Sequence, residues 1–372
     1  MKRSTLGLLL SCAMFSAASY ATPVQLSSFN NLPDDTEVNG FHGALFYGQT
    51  GTVNGFDLPI LGYTEMDKLN GLQIGAAAGS HIRNGMNGAA IGLFNWHGGE
   101  DNGLNIGIAN QLGYLSGASL GIYSGAQTVN GVNLAAVTTN GDVNGVNIGG
   151  IANYSTGSVY GVNVSPFNWT EQDTYGTNIS VFNHTGNVEG LNTGVIANWS
   201  EGDITGMNVA AVNVSGNLTG LNIAPINKSG DTVGANITAI NWSENTTGFN
   251  FGAINRTNDM VGFNMGGFNV ANNVQGMNMG AVNFNGGDVT GLNLGGINVS
   301  HNVEGLNLGG INVSSGDSTS DIGVINYADT TSFQFGLINA TKHLEGLQIG
   351  IINVATNAAV PVLPIANFHR SF

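Results

Sequence analysis

The sequence predicts an all-β protein that folds as an elongated parallel β-solenoid with rungs of about 14 residues. A unit of the form Gly-apolar-Asn-apolar-Gly/Ala-x-apolar-Asn recurs along most of the 372 residues. Apolar and polar residues alternate with period two inside each unit, which is typical of β-strands. Successive units start at Gly220, Gly234, Gly248, Gly262 and Gly276. An internal repeat this short and regular favours a stacked repeat architecture.

The N-terminus predicts export. Lys2 and Arg3 precede an apolar run at 6–15 and a small-residue cleavage site after Ala21, so residues 1–21 match a signal peptide. The only cysteine, Cys12, lies inside that segment, so the mature chain has no disulfide. No later run reaches about 18 apolar residues, so no membrane-spanning helix is expected.

Three regions follow the predicted signal peptide. Residues 22–87 read as an N-terminal cap with degenerate repeats, such as GFHGALFY at Gly40 and GFDLPILG at Gly55. Residues 88–353 carry the regular solenoid repeats, in which a pair such as Gly309-Gly310 predicts a bend between two short strands. Residues 354–372 read as a C-terminal cap, where Pro361 and Pro364 are expected to stop strand propagation.

Asparagine occupies two fixed places in nearly every unit. In a parallel, in-register stack each amide can donate to the amide oxygen of the next rung, so these residues predict structural ladders rather than ligand sites. The first series includes Asn222, Asn236, Asn250, Asn264, Asn278, Asn293 and Asn307, and the second ends at Asn353.

The sequence offers no catalytic, cofactor or metal site. The seven histidines show no metal-ligand spacing and are expected to be solvated turn residues. Glycine-rich corners carry Asp142, Asp203, Asp231, Asp288 and Asp317, but most corners lack an aspartate, unlike calcium-binding β-rolls. No metal is therefore predicted, although calcium at these corners stays open. With 8 Lys plus Arg against 23 Asp plus Glu, the chain lacks the basic surface that nucleic acid requires.

Four tryptophans follow the second asparagine or its equivalent, namely Trp96, Trp169, Trp199 and Trp242. If this position faces outward, they form an aromatic strip that could bind sugar rings or an apolar partner surface. The alternative is that they pack beneath loops or inside the coil.

The segment Thr22-Pro23-Val24-Gln25-Leu26, the GLQIG units at Gly71 and Gly346 and the ending LPIANFHRSF resemble an uncharacterised family of surface-repeat proteins from Gram-negative bacteria, whose units read GLQIGLVN. This chain differs by preferring Asn to Gln and by having more units. The resemblance implies secretion and repeat architecture and supplies no catalytic residue.

We therefore expect an exported, non-enzymatic repeat protein with a structural or adhesive role at the bacterial cell envelope or surface. Its location would be the cell surface or outer membrane, or else the periplasm or medium, and its partner a carbohydrate or a cell-surface protein. The alternative is an antiparallel outer-membrane β-barrel with a transport or envelope role, favoured by the terminal Phe372. Asn110 and Asn298 would interrupt its lipid-facing rows, and membrane association stays open.

Overall fold

The structure is a computed structural model that describes residues 22–75 and 77–369, so the predicted signal peptide and Cys12 lie outside the described residues. The chain divides into two compact units, Met1–Thr185 (unit 1) and Gly186–Phe372 (unit 2). Both units are built from β-strands, and their described residues contain no helix.

The strands of unit 1 are β1 (Thr22–Ser28), β2 (Asn30–Leu32), β3 (Glu37–Ala44), β4 (Tyr47–Pro59), β5 (Tyr63–Ile74), β6 (Gly79–Ile82), β7 (Gly85–Ile91), β8 (Phe94–Ile106), β9 (Ala109–Ser155), β10 (Val159–Thr170) and β11 (Thr174–Thr185). Those of unit 2 are β12 (Val188–Ser200), β13 (Ile204–Val209), β14 (Val212–Val214), β15 (Leu218–Lys228), β16 (Thr232–Trp242), β17 (Asn245–Arg256), β18 (Asp259–Ala271), β19 (Asn273–Asn285), β20 (Asp288–Ser300), β21 (Asn302–Phe335), β22 (Ile338–Ala355) and β23 (Val362–Phe368). The long strands β9 and β21 continue around several corners.

Each rung pairs in parallel and in register with the equivalent positions of the next. Between β15 and β16, Gly220 lies opposite Gly234 and Asn222 opposite Asn236. The same pairing repeats from β16 to β20, as a solenoid requires. The predicted fold class is confirmed, and the antiparallel barrel alternative is wrong.

Antiparallel strands lie next to β1 in unit 1 and next to β22 in unit 2. Strand β2 pairs with β1, and β23 pairs with β22. The expectation that prolines stop strand propagation near the C-terminus is wrong for Pro364, which lies within β23. Among the described residues, β22 is the one strand that pairs with β23, so a proline without an N–H costs no ladder hydrogen bond on the other side of β23.

The coil interior is largely polar, and much of the exterior is apolar. In one rung of unit 2, Val303, Asn307, Asn312 and Ser314 are buried. Their neighbours in sequence, including Leu306, Leu308 and Ile311, point outward and remain partly or well exposed. This arrangement inverts the usual preference for apolar side chains inside a protein. Hydrogen bonds between inward amides of successive rungs, such as those from Asn269 to Asn283 and from Asn283 to Asn298, help to sustain it.

The leading glycine of each regular unit has a backbone conformation that other residues rarely adopt. From Gly220 to Gly305, these glycines have φ between +124° and +137°. The predicted bend at Gly309-Gly310 lies in a continuous strand, but Asn307 and Asn312 both point inward although they are five positions apart. Because successive strand residues alternate faces, the chain must turn between these two asparagines.

Replacement of Ile365 by glycine should stabilise the C-terminal end of unit 2. Ile365 has φ +71°, which is strained for a β-branched side chain, and it is 77% exposed, so few contacts would be lost. We expect a gain of about 1 kcal/mol from the relieved strain. The control Val362→Gly, in the same strand, should lose stability instead. Hydrogen exchange of the backbone amides in β22 and β23 measures the stability change of both variants. Slower exchange in Val362→Gly than in Ile365→Gly would contradict the prediction.

Candidate binding surface

The four tryptophans project from the outside of the coil. Strand register places Trp96 between His81 and Gln111, and Trp169 between Tyr154 and His184. In unit 2 the same column runs through Trp199, Val214, Lys228, Trp242, Arg256, Val270, Phe284, Val299 and Val313. The indole side chains are between 49% and 61% exposed, so they do not pack inside the coil.

Aromatic rings in adjacent rungs stack on one another along the coil. The ring centroids of Tyr160 and Tyr175 lie 4.7 Å apart, those of Trp169 and His184 4.1 Å apart, with nearly parallel planes. Arg256 lies over the Trp242 ring at 4.6 Å from the centroid, a cation–π arrangement. In these pairs a ring face is occupied by a neighbouring rung. The surface therefore presents many ring edges, whereas sugar stacking requires free ring faces.

A second outward column, which we call the Ile ridge, lies two residues before the tryptophan column in unit 2. It consists of Ile226, Ile240, Ile254, Phe268, Val282, Ile297, Ile311, Ile325, Ile338 and Ile352. All but Val282 are at least 36% exposed. Soluble monomers rarely expose apolar patches larger than a few hundred Å², and larger ones mark interaction surfaces.

Four of the five corner aspartates form hydrogen bonds within a separate outward column of unit 2, and the fifth, Asp142 in unit 1, accepts from the backbone N–H of Ser158. Asp and Asn alternate there from rung to rung, as Asn187, Asp203, Asn217, Asp231, Asn245, Asp259, Asn273, Asp288, Asn302 and Asp317. The Asn302 amide donates to Asp288 Oδ1 at 2.7 Å, for example. Alternation keeps like charges two rungs apart, because each carboxylate has amide neighbours. Within the described ranges, no three His, Cys, Asp or Glu side chains are grouped to hold a metal ion.

The expectation that the histidines are solvated turn residues is wrong for His42 and His97. His42 Nε2 lies 3.0 Å from Ser27 Oγ, and its Nδ1 lies 2.5 Å from Asp57 Oδ1. All three side chains are buried. The sequence signal was available, since His42 and Asp57 occupy the first asparagine position of the degenerate units at Gly40 and Gly55.

A second buried network repeats these residue types. Ser80 Oγ lies 3.2 Å from His97 Nε2, and His97 Nδ1 lies 2.5 Å from Asp101 Oδ2. Both Ser-His-Asp sets have the connectivity of a hydrolase triad. However, Ser27 and Ser80 are only 4% and 2% exposed, so their hydroxyl groups do not face a substrate site. Because these side chains point inward, both sets are hydrogen-bonded links between polar side chains in the coil interior.

The two asparagine series differ in continuity. All first-series residues named above are buried, but their amides link the rungs in several ways. Asn236 donates to Asn250 at 2.9 Å, whereas Asn293 donates to Ser300 at 3.3 Å. The second series is unbroken from Asn255 to Asn353, through Asn269, Asn283, Asn298, Asn312, Asn326 and Asn339, with amide-to-amide distances of 2.7–3.0 Å.

Asp321 should make stability depend on pH. It replaces asparagine in the first series, and burial raises the pKa of its carboxyl despite hydrogen bonds from Asn307, Ser318 and Gln334. The folded state then binds this proton more tightly than the unfolded state. The stability that the protonated Asp321 carboxyl contributes is fully present below the ordinary pKa of aspartate, which applies to the unfolded chain. This contribution is lost as pH rises through the higher pKa of the folded state. Urea titrations should show that wild type loses stability relative to Asp321→Asn over this window. Parallel curves would contradict the prediction.

No protein-family model, curated protein or solved structure matches this chain. Within the described residues, no helix has the length and apolar character needed to cross a membrane.

Proposed function

We propose that the chain is an exported, non-enzymatic repeat protein with a structural or adhesive role at the bacterial cell envelope or surface. The observation that carries this proposal is the outward apolar and aromatic surface, which repeats on many successive rungs. Stacked rungs present apolar side chains at equivalent outward positions, so weak contacts add up along the coil. Export rests on the N-terminal pattern of residues 1–21.

A partner with an apolar surface fits better than a carbohydrate. Trp169 is stacked on His184, and Arg256 covers one face of the Trp242 ring, so these two rings offer fewer free faces to a sugar. The exposed Ile ridge offers aliphatic side chains without hydrogen-bonding groups for hydroxyls. A protein with an apolar contact face is therefore the favoured class of partner.

Localisation and surface binding can be tested in the same cells. Expressing cells are separated into medium, periplasm and carbonate-washed envelope, and intact cells are treated with protease. We expect the protein outside the cytoplasm and bound to the envelope or exposed at the surface. The variant Trp96→Ser/Trp199→Ser/Trp242→Ser should reduce envelope binding, whereas Asp231→Asn in the corner column should not. Cytoplasmic protein, or equal binding by both variants, would overturn the proposal.

The non-enzymatic part has a separate test. A fluorophosphonate probe labels serine nucleophiles that an adjacent histidine activates and that solvent can reach. The folded chain should remain unlabelled, because Ser27 and Ser80 are buried. Labelling that disappears in Ser27→Ala or Ser80→Ala would instead assign hydrolase chemistry to that triad.

A further inference from the structure

A shallow apolar groove lies beside the Ile ridge in unit 2. Its volume is about 390 Å³, and outward Leu294, Leu308 and Ile322 line its far side. Of the column just before the ridge, Gly310 and Val324 line this groove. From Pro225 to Gly310 that column, which we call the floor column, holds only small residues or proline over seven rungs, namely Pro225, Ala239, Ala253, Gly267, Ala281, Gly296 and Gly310. Over these seven rungs a ridge of bulky side chains and a column without them therefore run side by side, whereas Val324, Leu337 and Ile351 fill the column in the next three.

This surface is complementary to itself. A two-fold axis parallel to the coil, between ridge and groove, places the ridge of each copy over the groove of the other. A two-fold axis across the coil would instead set ridge against ridge. Because side chains repeat at the strand spacing, the two faces can interdigitate over the seven rungs with small floor residues, as in paired β-sheets with stacked side chains.

We propose that unit 2 pairs face to face with unit 2 of a second copy of this chain, with the two coils parallel and each Ile ridge seated in the other's groove. The inference rests on the proposed function, because it assigns a second copy of the chain as the partner of the same outward apolar surface.

The size of the face permits a weak pair. The seven ridge residues beside small floor residues, at about 4.8 Å per strand, give a length of about 34 Å. Measured along the chain, the Leu308 and Val313 columns are about 16 Å apart at about 3.3 Å per residue. The resulting area is at most roughly 540 Å² per copy, or about 1,100 Å² for the pair, just above the roughly 1,000 Å² that a specific interface needs.

The charge distribution also permits the contact. The chain carries a net charge of −15, yet the ridge and the floor of the groove contain no charged residue. The alternating Asp/Asn column lies at a different corner. Lys228 and Arg256 lie in the tryptophan column, which forms the edge of the face on the side of the ridge away from the groove. Salt should therefore strengthen association, because it screens the net repulsion between copies.

Sedimentation of the purified full chain tests the pair independently of where the protein resides in the cell. We expect a dimer that becomes tighter with added salt. Ile254→Lys/Ile311→Lys should raise the dissociation constant at least about tenfold, because it places charges in an apolar interface core. The control Thr219→Lys/Thr290→Lys adds the same charges at exposed positions outside the face. A monomeric wild type, or equal effects of both variants, would overturn the proposal.

Cross-linking tests the orientation. In a Cys12→Ser background, Ala253→Cys and Ala281→Cys each place one thiol on the floor column near the proposed axis. In parallel coils every rung faces its own equivalent, so both variants should form disulfide-linked dimers. In antiparallel coils at most one could do so. Cross-linking of only one variant, or of neither in a dimeric protein, would refute the parallel arrangement. If the dimer is found but the protein is not exported, the proposed function fails while this inference stands.

Discussion

Replacement of Gly234 by alanine should destabilise the centre of unit 2 by about 3 kcal/mol or more. Gly234 has φ +136°, and a Cβ atom there would lie 2.0 Å from the carbonyl oxygen of Gly220 in the preceding rung. The backbone strain alone costs on the order of 1–3 kcal/mol. The clashing atom belongs to the strand ladder, so it cannot move away without weakening the hydrogen bonds between rungs. Urea unfolding followed by circular dichroism measures the loss.

Gly150→Ala provides the matched control for this prediction. Gly150 lies in a strand of unit 1 without positive φ, and its added Cβ would meet the nearest heavy atom at 3.6 Å, an ordinary van der Waals distance. Its stability should change by less than about 1 kcal/mol. If Gly234→Ala were as mild as this control, the glycine column would not be required by the fold.

The spacing of the repeat was enough to predict the parallel stack. Units that start at Gly220, Gly234 and Gly248 place equivalent residues one rung apart, and strand register follows from that spacing. The pattern did not determine whether the tryptophan side chains point into the coil or away from it. Alternation separates two faces of a strand, but an apolar residue beside an inward asparagine can be read as core or as surface. The structure places Leu306 and Ile311 outside because the stacked amides take the inward positions.

Other features depend on contacts between distant residues. His42 and Asp57 occupy asparagine positions, so the repeat itself placed them inside, but their direct contact is visible only in three dimensions. The link between His97 and Asp101 joins two different inward columns, which no single column of the repeat predicts. The groove beside the Ile ridge likewise needs two columns and a corner to be seen together.

Asn298→Leu should strongly destabilise unit 2. The Asn298 amide donates to Asn312 Oδ1 at 2.9 Å and to the Leu308 carbonyl at 3.0 Å. Its own oxygen accepts from Asn283 at 2.9 Å. A longer bond runs from the same amide to the Asn293 carbonyl at 3.4 Å. Leucine would remove all of these bonds, and each buried polar group left unsatisfied costs about 1–3 kcal/mol. We expect a loss of about 3–5 kcal/mol in urea unfolding, although the substitution adds an apolar side chain to the interior.

Asn264→Leu tests whether stability comes from the hydrogen bonds of the asparagine ladder or only from the burial of asparagine side chains. Asn264 is equally buried, but it donates only to Asn278 at 3.2 Å, and its oxygen has no hydrogen-bond partner. Its loss should therefore be clearly smaller than that of Asn298→Leu. The outward change Val261→Asn, at an exposed position away from the Ile ridge, should alter stability by less than about 1 kcal/mol. If both leucine variants were as stable as wild type, hydrophobic burial would outweigh the amide bonds and the polar interior would not hold the coil together.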